Sequence, residues 1–139
     1  MFKGCTSLTI APALPATTVF NDSYESMFEG CTSLTTGPTT LPATSIDSEC
    51  YKAMFKGCTS LTTAPTLPAT SLYPEEDYYD SDWNGFGVYN EMFKGCTSLT
   101  TAPALPATAI DSAAYESMFE GCTSLTTAPA TLPATAVST

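Results

Sequence analysis

Histidine and arginine are absent from these 139 residues, and four lysines stand against 14 acidic residues, so the formal charge is −10. Without a guanidinium fork and with so few cations, the chain is poorly suited to phosphate backbones or anionic lipid, and nucleic acid is excluded as an expected partner. No apolar run approaches the ~18 residues needed to cross a bilayer, which argues against membrane insertion. Nor does an apolar segment of the signal-peptide kind follow Met1-Phe2-Lys3-Gly4-Cys5. The missing imidazole removes the usual general base, the commonest metal ligand and one half of every Ser/His or Cys/His pair. No catalytic residues are assigned, and the chain is read as a non-enzyme. Charged residues are scarce at 13%, while 43% hydrophobic residues suffice for a core in a single domain spanning 1–139. Eleven Pro and eight Gly leave little room for long uninterrupted elements.

What is present is repetition. Met-Phe-x-Gly-Cys-Thr-Ser-Leu-Thr begins at residues 1, 27, 54, 92 and 118, with spacings of 26, 27, 38 and 26. Each block runs into a Pro-x-Leu-Pro-Ala-Thr or Pro-x-Thr-Leu-Pro-Ala-Thr segment. A period in the middle twenties points to a leucine-rich or related solenoid, with one structural unit per repeat. In Asp111 to Gly121, Asp111 or Ser112 caps a short helix, Tyr115, Met118 and Phe119 share a face at i, i+3 and i+4, and Gly121 ends it. Asp22 to Gly30 and Asp47 to Gly57 read alike. The Thr- and Ala-rich run from Cys to the second proline, Cys122 to Pro133 in the last repeat, predicts one short strand, or two, per repeat. The expected fold class is an α/β repeat solenoid of about five coils, each a short strand or two plus a short helix, with one long loop insertion. Stacking would align Leu8, Leu34, Leu61, Leu99 and Leu125 in one buried row and Phe2, Phe28, Phe55, Phe93 and Phe119 in another. At ~4.8 Å per coil the stack would be about 25 Å long.

Tyr-x-x-Met-Phe-x-Gly-Cys-Thr-Ser-Leu-Thr with its downstream Leu-Pro resembles the BspA-like leucine-rich repeats of bacterial surface proteins, over nearly the whole chain. The resemblance implies an elongated α/β solenoid on a secreted or cell-surface protein, with adhesion to host or neighbouring-cell proteins or glycans as its work. It implies no fixed binding residues.

Five of the six cysteines (Cys5, Cys31, Cys58, Cys96, Cys122) share one repeat position, so their spacing is the repeat's own. A ladder of buried free thiols is the reading; Cys-x-x-Cys pairs that would favour zinc are absent. Cys50 stands apart, and a bridge to Cys31 or Cys58 is conceivable in an exported chain. Leu-Pro-Ala-Thr reads as a repeat turn, without the glycine or apolar tail of a sorting signal. Neither adjacent acids such as Glu75 and Glu76 nor the proline-interrupted threonine rows amount to a glycosidase pair or a flat ice-binding face.

The one departure from regularity is an insertion at 73–88, Tyr-Pro-Glu-Glu-Asp-Tyr-Tyr-Asp-Ser-Asp-Trp-Asn-Gly-Phe-Gly-Val. Loops interrupting repeats emerge on one edge and carry function more often than scaffold does. Tyr73, Tyr78, Tyr79, Trp83 and Phe86 offer stiff, amphipathic contact area and are the candidate ligand-binding residues, with Trp83 the best anchor; the alternative is that some fold back onto the coil they interrupt. Asp80, Asp82, Asn84 and Glu91, with Gly85 at the turn, match the spacing of a calcium loop, making calcium the candidate cofactor. Gly87 replaces the expected apolar residue of that loop, and Glu91 aligns with Ser26, Ala53 and Ser117 of the other repeats, so it can equally serve the repeat. A merely solvated acidic loop is the alternative.

Both ends of the chain fall inside a repeat, without the polar caps that close such stacks. They belong either to an excerpt of a longer array or to surfaces that self-associate head to tail. The expected function is extracellular or cell-surface binding, with a structural filament subunit, calcium-stabilised or not, as the rival.

Overall fold

The computed structural model describes residues 1–72, 87–110 and 113–137. The repeats lie one upon another in parallel, and we number them as coils one to five by their Met-Phe pairs at 1, 27, 54, 92 and 118. The expected α/β architecture is overturned: no helix occurs among the described residues, and the strands are five pairs of residues. These are β1 (Thr18–Val19), β2 (Ser45–Ile46), β3 (Ser71–Leu72), β4 (Ala109–Ile110) and β5 (Ala136–Val137). β1 pairs with β2, and β3, β4 and β5 form a second sheet, every pairing being parallel and in repeat register.

The segments expected as helices, 22–30, 47–57 and 111–121, are runs of turns over their described residues, the cap candidates Asp111 and Ser112 lying outside those, and backbone bonding explains why. Within 22–31, alternate N–H groups close turns onto the carbonyl three residues back (Glu25 to Asp22, Met27 to Tyr24, Glu29 to Ser26, Cys31 to Phe28). The intervening ones donate to the next coil (Tyr24 to Cys50, Ser26 to Lys52, Phe28 to Met54, Gly30 to Lys56), at 2.8–2.9 Å. Coils three and four repeat the scheme through Tyr51 to Val88, Ala53 to Asn90, Phe55 to Met92 and Gly57 to Lys94. An α-helix would direct all these donors four residues back along its own chain. Left-handed residues recur every fourth position, at Asp22, Ser26 and Gly30 and at Glu49, Ala53 and Gly57, and each stops a helix. With Glu91 and Ser117, six left-handed residues among those described are not glycine, with φ of 51–58°. Each costs about 1 kcal/mol or more, and the inter-coil ladder holds them there.

Strand placement also differs from the expectation. The Cys-to-Pro run makes only single bridges, among them Thr63 with Thr101 and Thr101 with Thr127, and the two-residue strands follow the second proline. Prolines lack the N–H a ladder needs, so pairing resumes only downstream of them.

The core is a set of one-residue columns. Leu34, Leu61 and Leu99 are fully buried, with Leu8 and Leu125 half-buried at the ends. Phe2, Phe28, Phe55, Phe93 and Phe119 stack with centroids 5.5–5.8 Å apart and ring planes within 10°. A second column, Tyr24, Tyr51, Tyr89 and Tyr115, stacks at 5.7–6.0 Å. Offset stacking of this kind adds about 0.5–1.5 kcal/mol per pair to the burial itself.

Candidate functional site

The ligand-binding candidates Tyr73, Tyr78, Tyr79, Trp83 and Phe86, and the metal candidates Asp80, Asp82 and Asn84, lie outside the described residues. What is described is the frame on either side of them. The chain reaches the insertion through β3, whose Leu72 is fully buried and whose partner is β4, and continues after it at Gly87, Val88 and Tyr89, all buried. Gly87 sits in a tight corner: a Cβ there would come 3.1 Å from the Cβ of Asn90, whose N–H closes the turn onto the Gly87 carbonyl at 2.9 Å. Tyr89, the first residue past the insertion, belongs to the tyrosine column between Tyr51 and Tyr115, and burial pushes its hydroxyl pKa up.

Glu91 is the one metal candidate inside the frame. Its Oε2 accepts from Lys56 Nζ at 2.6 Å and its Oε1 from Lys94 Nζ at 2.8 Å. These two bonds, Lys56 first, hold its carboxyl below the ordinary glutamate value. The reason lies in the column formed by the variable residue of Met-Phe-x-Gly: Lys3, Glu29, Lys56, Lys94, Glu120. Signs alternate except where Lys56 meets Lys94, and there Glu91 stands where the other coils have Ser26, Ala53 and Ser117. Its carboxylate separates two like charges. To close a calcium shell it would have to exchange both ammonium groups for the cation, so Glu91 fits the repeat better than a metal site. Among the described residues no three His, Cys, Asp or Glu side chains gather to hold a metal ion.

Every lysine has a carboxylate partner: Lys3 with Glu29 at 2.7 Å, Lys52 with Glu49 at 2.7 Å, Lys56 with Glu91, and Lys94 with Glu91 and, at 3.0 Å, Glu120. A neighbouring column, Glu25, Lys52, Asn90 and Glu116, is complementary too, with Asn90 Nδ2 donating to Glu116 at 3.0 Å. Such pairing was not read from the sequence, although the variable residues at fixed repeat positions carried the signal.

The thiols are equally committed. Cys31, Cys58, Cys96 and Cys122 each donate to the phenylalanine carbonyl of the preceding coil (Phe2, Phe28, Phe55, Phe93) at 3.0–3.1 Å. Cys50 does what Ser23 does one coil earlier: Ser23 Oγ donates to the Phe20 carbonyl at 2.6 Å, and Cys50 Sγ to that of Asp47 at 2.8 Å. All six cysteines are free, so the bridges conceivable for Cys50 do not form. Burial pushes the Cys50 and Cys58 thiols up to about 12, far from the thiolate a nucleophile needs. Among the described residues no helix is long and apolar enough to cross a membrane. Comparison with protein-family models, curated proteins and solved structures gives no match to this chain.

Proposed function

We propose that this chain is a non-enzymatic binding module of the extracellular space or cell surface, in which the repeat stack carries the acidic and aromatic insertion to a protein or glycan on a host or neighbouring cell. One observation carries the reading: the ladder between coils three and four, with 38 residues between their Met-Phe pairs, keeps the same four backbone bonds as that between coils two and three, with 27. The frame therefore does not need the insertion, and the only Trp, three Tyr and five acidic residues within 73–86 call for another explanation. Large aromatics at low ordering cost are what recognition surfaces use. The frame's own lysines and most of its thiols are taken up in coil-to-coil contacts, and the resemblance of its repeats to BspA-like repeats favours surface binding. Calcium is not required by this reading.

Arrays of glycans and cell-surface glycoproteins, probed with wild type, Trp83→Ala and the Tyr78→Ala/Tyr79→Ala pair, test it. A hit lost in the variants at unchanged melting temperature is the expected result. Binding that survives both substitutions, or that survives replacement of 73–86 by a short linker, refutes it. Calcium is tested separately by melting in millimolar calcium and in chelator: a rise in wild type that disappears in Asp80→Ala/Asp82→Ala is the signature, and no rise in wild type removes calcium from consideration.

A further inference from the structure

Coils two and three are bonded differently along their two sides. Along the turns the ladder is continuous, with Tyr24, Ser26, Phe28 and Gly30 donating to coil three at 2.8–2.9 Å. Along the arc 35–46 of coil two, which faces 62–72 of coil three, the backbone bonds among the described residues gather at one point. Thr66 N–H donates to the Thr39 carbonyl at 3.0 Å, Leu41 N–H to the Thr66 carbonyl at 3.1 Å, and Thr66 Oγ1 to Thr40 Oγ1 at 2.8 Å. Elsewhere Thr44, Thr108 and Thr135 each donate to a threonine carbonyl one coil earlier, at 2.9–3.2 Å; among the described residues no such bond joins Thr70 to Thr44. β1 pairs with β2 and β3 with β4, but β2 and β3 belong to different sheets. Ring planes record a rotation at the same level. Phe28 and Phe55 are 10° from parallel, against 1–4° for the other phenylalanine pairs, and Tyr24 and Tyr51 19°, against 15° and 7°.

The residues supply the cause. Coil two reads Gly37-Pro38-Thr39-Thr40-Leu41 where coil three reads Ala64-Pro65-Thr66-Leu67, one residue fewer. Coils one and two, and coils four and five, also differ by one residue, but there the longer coil comes second and the strands pair. Only between coils two and three does a shorter coil follow a longer one, and Thr66 then bonds on both sides of Thr40. Gly37 replaces the alanine of the other four coils. A Cβ there would lie 3.5–3.7 Å from Phe55 and Leu61, so a methyl contact across this junction is missing as well.

We infer that this junction is a hinge. The turn ladder is its pin, and the arc of coil two lifts from that of coil three, tilting coils one and two against coils three to five. The structure shows it closed, with Leu41, Ala43, Leu67 and Ala69 buried across the arc. Opening wets those four side chains, so the open form is a minor state in exchange with the closed one. The hinge uses no residue of 73–86 and stands or falls independently of ligand binding by the insertion.

Hydrogen exchange of the whole chain, read amide by amide by NMR, tests the inference. The Leu41 and Thr66 N–H groups, although bonded, should exchange at least about tenfold faster than those of Thr44 and Thr108 in the neighbouring junctions. Ser26 and Phe28 N–H, on the pin, should stay as slow as Ala53 and Phe55 N–H one coil on. A clamp supplies the second arm. Thr44→Cys with Thr70→Cys, in a Cys5→Ser background, places two exposed thiols one coil apart, ~4.8 Å, within reach of a disulfide. The oxidised clamp should slow Leu41 and Thr66 to the rate of Thr108, and reduction should restore fast exchange. Leu41 and Thr66 as slow as Thr108 in wild type, or indifferent to the oxidised clamp, overturns the hinge. So does loss of protection at Ser26 and Phe28 together with them, since the coils would then separate as a whole.

Discussion

Stability of a stack depends on how many neighbours a layer touches, and the phenylalanine column turns this into a measurable difference. Phe55 is fully buried, with Phe28 and Phe93 stacked on either side at 5.6 Å, whereas Phe2 is half-buried with Phe28 alone at 5.5 Å. Removing a buried phenylalanine side chain costs about 3–5 kcal/mol, and two lost stacking partners put Phe55→Ala at the upper end, about 5. Half the burial and one partner put Phe2→Ala at about 2. A domain of this size has roughly 10 kcal/mol in hand, so both variants fold. With a urea dependence of about 2 kcal/mol per molar, the midpoint should fall by about 2.5 M for Phe55→Ala and about 1 M for Phe2→Ala. Urea unfolding followed by circular dichroism, at a concentration where sedimentation shows monomer, is the assay. Equal shifts, or a larger one for Phe2, would refute the idea that each coil is held mainly by its two neighbours.

The remaining expectations concern charge, thiols and one buried hydroxyl. Glu91 has a lowered pKa in the folded chain, so its contribution is full above its unfolded value near 4.5 and is lost as pH falls through the folded value. Glu91→Gln should therefore flatten the acid limb of melting temperature against pH. At neutral pH and low salt it should lower Tm by about 2 °C, a difference that shrinks in molar salt; an unchanged acid limb refutes the counter-ion role. Titration of the native protein with a thiol reagent at neutral pH should find one fast thiol, Cys5, and all six after denaturation. Two or more fast thiols would contradict the buried ladder. Ser48 is buried with no hydrogen-bond partner for its Oγ among the described residues, while its N–H is held by Asp47 Oδ1 at 2.8 Å. Ser48→Ala keeps the latter bond and should stabilise by about 1 kcal/mol in the same urea assay, and a loss of stability would show that the hydroxyl is satisfied.

Membership of the columns was legible in the residues themselves. When near-identical blocks stack in register, residue i necessarily meets its equivalent one period on, so Leu34, Leu61 and Leu99, the phenylalanines and the cysteines had to align once stacking was assumed. The same arithmetic marked 73–88 as the irregular part, although its candidate residues Tyr73 to Phe86 lie outside what the structure describes.

What tertiary structure alone decided is where the backbone hydrogen bonds go. Tyr115, Met118 and Phe119 do share a buried side at helical spacing, and a helix was a fair reading of them. But a helix and this polyturn arm place the same side chains inward, and side-chain pattern cannot tell them apart. The difference is whether alternate N–H groups find carbonyls in their own segment or 26 residues away, and whether Ser26, Ala53 and Ser117 accept a left-handed conformation that none of them prefers by itself. Glu91 makes the same point for charge: locally it completed a calcium spacing, and only stacking brought Lys56, 35 residues earlier, onto its carboxylate. Local sequence determined what each layer contains, and contact with the next layer determined the conformation each layer adopts.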